Sequence, residues 1–300
     1  MLLRFFDYIE IKTKITSLFA FLLTIAYIFY IGKPLNWRLT LIFFISMFVF
    51  DLTTTAINNY IDTKTNDQIL QFSRRTAKLI IYALFGISTA LGLYLAYLTD
   101  IVILLLGGLC FICGVLYTYG PVPISRQPLG EAFSGIFYGL FIPFILMYIN
   151  MPVGSLVSLN LKWEAVHISL QVMPLITLAL LSVIPVCTTA NIMLANNICD
   201  VEKDIAVKRF TLPYYLGKKA LWLFAGLYYM TYAATIAMVV LNLLPPICLL
   251  ILLTLFPVQR NINRFFKLQE KATTFMVAIV NYIVIMGANT VLVLLSAVIR

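Results

Sequence analysis

The chain has 300 residues, 62% of them hydrophobic and only 11% charged, with 21 basic and 12 acidic side chains and a formal net charge of +9. Soluble domains carry about 45–50% apolar and about 25% charged residues, so an ordinary soluble fold is excluded, as are disorder, a disulfide scaffold and a coiled coil. An all-α polytopic membrane protein remains, a single membrane-embedded domain over residues 1–300.

A membrane-crossing helix needs about 20 largely apolar residues. Windows of that kind lie at 15–32, 39–58, 79–98, 101–118, 131–150, 172–195, 219–242, 244–258 and 273–298, which predicts nine spans. The eighth is the shortest and opens on Pro245 and Pro246. The first is not a cleavable signal peptide: it begins too far in, Asp7 and Glu10 precede it, and no small-x-small site follows.

The basic residues set the orientation. With a cytoplasmic N-terminus, the inner segments hold 17 of the 21 Lys and Arg, and only Lys33, Arg38, Lys162 and Arg300 lie on the other side. This asymmetry predicts nine spans with the N-terminus inside and the C-terminus outside, in what is expected to be a bacterial cell membrane. The positive charge is then a topology signal first. No basic run or motif suits a nucleic acid, and no nucleic-acid partner is expected. The inner loops at about 60–78 and 196–218 are polar, whereas the outer loop at about 151–170 is mild, with Trp163 and a lone surface-type His167. Chemistry is therefore expected on the cytoplasmic side.

Two segments repeat. Asn58-Asn59-x-x-Asp62-x-x-x-Asn66 and Asn196-Asn197-x-x-Asp200-x-x-x-Asp204 match position for position, 138 residues apart. Both end spans of the same direction, the second and the sixth, so the internal repeat is parallel. On a helix, positions i, i+1, i+4 and i+8 fall within roughly a 100° arc, so each motif can turn its polar groups toward one central cavity. Asp67 falls on the other side unless the helix has ended, and Glu202 points away from the arc. Two carboxylate and amide clusters followed by basic loops suit a magnesium-bound diphosphate. Mg²⁺ takes oxygen ligands from one or two carboxylates plus substrate phosphates, and Lys and Arg balance the remaining charge. Polar helix ends in water would explain one such segment, but not its recurrence in register.

Asp51 lies inside the second span, seven residues before Asn58. It is either a cavity group or a hydrogen-bonded acid tying helices together. After the fourth span, Tyr117-Thr118-Tyr119-Gly120-Pro121-Val122-Pro123 forms a rigid turn leading to Arg126 and Glu131, which opens the fifth span. Asn281 and Asn289 in the last span either line the cavity or tie helices together. Cys110 and Cys113 form a CxxC without further metal ligands at suitable spacing and read as buried apolar residues.

At these residues the chain resembles the UbiA superfamily of intramembrane aromatic prenyltransferases, over nearly its whole length. The resemblance rests on nine spans, the two Asp-rich motifs and the Tyr-Thr-x-Gly-Pro-x-Pro turn. Within the superfamily it looks most like the 1,4-dihydroxy-2-naphthoate polyprenyltransferases of menaquinone synthesis, through Glu10 to Lys14, Asp51 to Asp62, Leu129-Gly130-Glu131 and the run Lys208-Arg209-x-Thr211-Leu212. The family's first motif is usually Asn-Asp-x-x-Asp-x-x-x-Asp; here Asn59 and Asn66 replace two carboxylates, and Asp67 follows.

The resemblance implies a Mg²⁺-dependent transfer of a polyprenyl group from polyprenyl diphosphate to an aromatic ring, with 1,4-dihydroxy-2-naphthoate favoured over 4-hydroxybenzoate, another quinone ring or haem. Asp62, Asp200 and Asp204, with Asp67 and Asn66, would hold the metal, and Asn58, Asn59, Asn196 and Asn197 would complete the catalytic set. Lys14, Lys64, Arg74 and Lys208 would bind the diphosphate; Asp51, Tyr117, Arg126 and Glu131 would line the substrate cavity. Ionisation of the allylic C–O bond would give a carbocation for the ring to attack, with loss of the ring carboxylate in the naphthoate case. A secondary transporter is the rival from another class, but it would hold charges near the midplane on broken helices, commonly with inverted repeats.

Overall fold

The computed structural model describes residues 2–64, 69–121 and 123–299. Over the length where one domain is expected, the chain packs as two compact units: Met1–Ser17 with Asn36–Arg126, and Leu18–Leu35 with Gln127–Arg300.

The first unit holds α1 (Leu2–Tyr8), a 3-10 turn (Ile11–Lys14), the start of α2 (Ile15–Tyr30), then α3 (Trp37–Asp62), α4 (Arg74–Leu98) and α5 (Ile101–Leu116). Side chains before the first turns start three of these helices. Asn36 accepts from Leu39 N at 3.1 Å, Ser73 from Thr76 N at 3.2 Å and Asp100 from Val102 N at 2.9 Å, each satisfying an otherwise orphan N–H. α3 packs along α4, and Ser46 donates to the Ser88 carbonyl across that contact at 3.0 Å. At the other end, Tyr8, Ile9, Leu52, Ala56 and Ala77 form a buried cluster that fastens α1 onto α3 and α4.

The second unit holds the rest of α2, then α6 (Gly130–Ile136), a π-helical turn (Phe137–Phe141), α7 (Ile142–Asn150), β1 (Val157–Leu161), β2 (Val166–Leu170) and α8 (Val172–Ala206). It continues through α9 (Leu212–Leu216), α10 (Lys219–Val240), a 3-10 stretch (Pro246–Thr254), α11 (Leu255–Lys267) and α12 (Met276–Ile299). α8 is the hub, packed by α6, the π-helical turn, α10 and α12. Glycine permits the closest approach: a Cβ on Gly139 would lie 2.2 Å from the Val186 backbone nitrogen. That contact meets α8 beside its internal Pro185.

Among the described residues, eight helical stretches are long and apolar enough to cross a membrane, and the chain is an integral membrane protein. The stretch expected as the fourth span, 101–118, forms the 16-residue α5 instead of a full-length helix. The eighth runs longer than expected, Pro246–Lys267, because the prolines open a 3-10 stretch that passes directly into α11. The loop expected on the outer side is a β-hairpin, an exception to the all-helical expectation. Asn281 and Asn289 tie helices: Asn261 donates to Asn281 at 2.8 Å and Thr235 to Asn289 at 3.3 Å.

Candidate active site

Each unit carries one copy of the repeated motif, at the C-terminal end of its longest helix. In the first unit α3 ends at Asp62, so Asn58, Asn59 and Asp62 are helical. Asn66 and Asp67 lie outside the described residues. Asn58 is half-buried and its Oδ1 accepts from Thr118 Oγ1 at 2.9 Å. This bond joins the motif to the turn carrying Tyr117. Asn59 is buried, and its Nδ2 donates to the Tyr8 carbonyl at 2.9 Å. The Tyr8 hydroxyl returns to the Ala56 carbonyl at 2.9 Å, and burial pushes that phenol above its ordinary pKa, keeping it a neutral donor. Asp62, the last residue of α3, is half-buried.

The basic residues of this unit are placed unevenly. Arg74 donates to the carbonyls of Tyr60 and Thr63, the latter at 2.8 Å, and its guanidinium lies 5.1 Å from the Tyr60 ring centre. It thereby caps the helix that ends in Asp62. Lys64 is exposed, and its ammonium lies 5.0 Å from the same ring centre. Lys14, expected among the diphosphate-binding cations, is instead 4% exposed and paired with Asp51 Oδ1 at 2.9 Å. Its ammonium also donates to the Asp51 carbonyl at 3.1 Å and to Thr55 Oγ1. Ser17 donates to Asp51 Oδ2 at 2.8 Å. Asp51 therefore joins α2 to α3 as a buried, paired acid. Tyr117 is half-buried, and its carbonyl accepts from Ser125 N at 2.8 Å; Arg126 is exposed.

In the second unit all four motif positions are helical, since α8 runs on to Ala206. Asn196 and Asp200 are half-buried, while Asn197 and Asp204 are buried. Asn197 Nδ2 donates to Glu131 Oε1 at 2.8 Å. Glu131 is buried in the first turn of α6, so the fifth predicted span meets the sixth directly at the motif. Asp200 pairs with Lys271, and Asp204 with Arg209 Nε at 3.8 Å. Glu202 is exposed.

Neither Lys271 nor Arg209 stood out in the sequence, where Lys208 seemed the better cation. The backbone explains the exchange. Lys208 takes a left-handed φ of 57°, its N–H bonds to the Ile205 carbonyl at 3.0 Å, and Arg209 N–H bonds to the Asp204 carbonyl at 2.8 Å. These are the two bonds of a Schellman ending, which folds the residue after the left-handed one back over the helix. Arg209 is thus returned to Asp204, and Lys208 is left exposed.

The donor set fits a hard divalent cation. Asp204 Oδ2, Asn197 Oδ1 and Glu131 Oε2 are all buried oxygens without a hydrogen-bond partner. A buried unpaired acceptor is costly unless something fills it, and Mg²⁺ selects oxygen ligands. Among the described residues no three His, Cys, Asp or Glu side chains stand close enough together to hold a metal by themselves.

Comparison with known proteins bears on the same residues. Residues 17–282 match the UbiA prenyltransferase family. The chain is 26% identical over 236 residues to a 1,4-dihydroxy-2-naphthoate octaprenyltransferase of Bacillus subtilis (strain 168), covering 74% of this chain and 69% of that protein. A solved structure of a digeranylgeranylglyceryl phosphate synthase aligns with a TM-score of 0.67 at 15% identity, over 100% of this chain and 99% of the other. A UbiA homologue from Archaeoglobus fulgidus bound to DMAPP and Mg²⁺ aligns with a TM-score of 0.57 at 12% identity, over 97% and 99%. At these identities the solved structures share the fold.

Proposed function

This chain belongs to the UbiA prenyltransferase family, and we propose that it transfers a polyprenyl group from a polyprenyl diphosphate to an aromatic acceptor, 1,4-dihydroxy-2-naphthoate. The observation that carries the reading is the second motif. Asp200 and Asp204 stand one turn apart on α8, each beside a cation, and Asp204 keeps a buried oxygen unpaired. The naphthoate acceptor is supported by the Bacillus subtilis relative, and Mg²⁺ by the Archaeoglobus fulgidus structure.

In this reading Asp62, Asp200 and Asp204, with Asn66 and Asp67, would hold magnesium together with the substrate diphosphate, and the metal would supply positive charge against the leaving diphosphate. The chain's own groups do the rest. Arg209 and Lys271 stand beside the Asp204 and Asp200 carboxylates and offset part of their charge. Asn197, fixed by Glu131, keeps its free oxygen turned away from that bond. Lys64 supplies an exposed cation beside Asp62 for the leaving diphosphate. The allylic C–O bond breaks toward the diphosphate, the ring forms a new C–C bond to the allylic carbon, and the ring carboxylate departs as carbon dioxide.

The expected topology has nine spans, with α5 as the fourth. Its backbone bonding continues past Leu116, with Tyr117 N–H to Cys113 at 2.8 Å and Tyr119 N–H to Val115 at 3.0 Å. This lengthens the helical run toward the roughly 20 residues a crossing needs.

The test is an acceptor panel. Purified protein with Mg²⁺ and polyprenyl diphosphate is offered naphthoate, hydroxybenzoate or haem, and products are read by mass spectrometry. The expected result is prenylated naphthoate with release of carbon dioxide and diphosphate, lost on chelation and restored by Mg²⁺. Product with another acceptor alone reassigns the substrate, and no product with any acceptor removes the enzymatic reading.

A further inference from the structure

The segment between α7 and α8 has a sidedness that the one-dimensional sequence conceals. β1 and β2 pair antiparallel with Val157 opposite Leu170, Leu159 opposite Ile168 and Leu161 opposite Val166. Directly paired residues share a face, and alternate residues take opposite faces. All six of those side chains therefore lie on one face. The other face carries Ser158, Asn160, His167 and Ser169, and every residue there is polar. Neither strand contains an acid, a lysine or an arginine.

The apolar face is open. Leu161, Val166, Ile168 and Leu170 are all more than half exposed, and Trp163 at the tip is fully exposed. A two-stranded hairpin with an uncovered apolar face is marginally stable in water by itself.

The chain's connections decide what covers it. The hairpin joins two membrane-crossing stretches, Gly130–Asn150 and Val172–Ala206. Gln171 N–H closes its base onto the Leu156 carbonyl at 2.9 Å, and Leu156 is buried. Only Gln171 separates β2 from α8. The base is thus held where α8 begins. Five-residue strands reach only about 17 Å, so the hairpin cannot leave the zone next to the bilayer. The first turns of α8, which follow directly, also expose Val172, Met173 and Ile176. The tip places Trp163 between Lys162 and Glu164, an apolar ring with polar neighbours, as suits the headgroup level.

We propose that this hairpin is an interfacial membrane anchor: its Val157–Leu170 face lies in the headgroup–acyl boundary, its Asn160–His167 face looks to water, and Trp163 seats in the lipid interface. Amphipathic helices use the same arrangement when they lie in the membrane plane; here a strand pair with period-two sidedness does so. The occupant is lipid. The proposal does not depend on the catalytic reading.

Fluorescence in lipid vesicles tests it. The protein has three tryptophans, so Trp37→Phe with Trp222→Phe leaves Trp163 as the only one. In vesicles of phosphatidylcholine with brominated acyl chains, Trp163 emission should be blue-shifted and strongly quenched. Two neighbouring positions then separate the faces, in a background that also carries Trp163→Phe. Ile168→Trp should be quenched by brominated lipid several-fold more than His167→Trp, and acrylamide in the water should give the reverse order. Both positions are exposed, so neither substitution disturbs a packed interior. Equal quenching at 167 and 168 overturns the proposal. So does a Trp163 quenched by acrylamide and untouched by brominated lipid. Efficient cross-linking between copies through Ile168→Cys, with no lipid quenching, would assign the face to a second copy instead.

Discussion

Lys14 and Asp51 show how a few polar groups hold an apolar fold. Each is almost fully buried, and each is satisfied, the ammonium by Asp51 and Thr55 and the carboxylate by Lys14 and Ser17. Removing one partner leaves the other charge buried without its counter-charge, which costs about 3–5 kcal/mol, whereas replacing both with apolar groups can be neutral. Lys14→Ala should therefore lower the melting temperature in detergent sharply, and Lys14→Met with Asp51→Leu should recover most of the loss. Equal melting of the single and double variants would show that the pair does not hold α2 to α3. Lys208 gives the opposite case. A side chain in the left-handed conformation costs roughly 1–2 kcal/mol, which glycine avoids. Lys208→Gly should raise the melting temperature and keep Arg209 on Asp204, with transfer activity unchanged. A large fall in activity would return Lys208 to the diphosphate site. Asp200→Asn and Asp204→Asn should each reduce turnover by about a hundredfold or more, the usual effect of removing a group that stabilises developing charge, with melting in detergent little changed. The pairing of Arg209 with Asp204 was hidden in the sequence because helices usually close on glycine or asparagine at this position, and nothing in Lys208 announced a left-handed turn.

At the scale of elements, the two motifs diverge in how their helices end. α8 carries its motif entirely within the helix, whereas α3 stops at the aspartate. The helical arc read from the sequence holds for Asn196 to Asp204 and for Asn58 to Asp62. Arg74 supplies the reason for the early stop in the first copy, since it takes the carbonyls of Tyr60 and Thr63. The contact of the π-helical turn with α8 was not legible at all. A glycine between Tyr138 and Leu140 looks unremarked in an apolar run, and only the structure puts the Val186 backbone against it. In membranes, small residues let helices approach where larger ones cannot. Gly139→Ala should therefore cost at least the 1–3 kcal/mol, roughly, of an overpacked core, seen as a lower melting temperature. Gly226, whose added Cβ would meet nothing within 4 Å, is the control: Gly226→Ala should leave melting unchanged. A Gly139→Ala protein as stable as the parent would show that the π-helical turn and α8 part without cost.

At the scale of the molecule, charge distribution makes a prediction about sidedness. If the basic residues set the orientation, a reporter active only outside the cytoplasm should work when fused after the C-terminus and fail when fused before the N-terminus. Activity at both ends would mean an even number of spans and would remove α5 from the count. The sequence by itself determined that this chain lives in a membrane, because an apolar majority with so few charges has no other stable solvent. It also singled out two sets of polar groups, because a motif repeated at a constant interval survives any uncertainty about helix ends. Tertiary structure decided what local pattern does not encode: which cation meets which carboxylate, whether Asp51 faces a cavity or a lysine, how a mild loop acquires an apolar face. Those outcomes depend on backbone geometry and on groups distant in the chain. Lys271 reaches Asp200 across 71 residues and Asn197 reaches Glu131 across 66, separations over which only the folded packing brings side chains together.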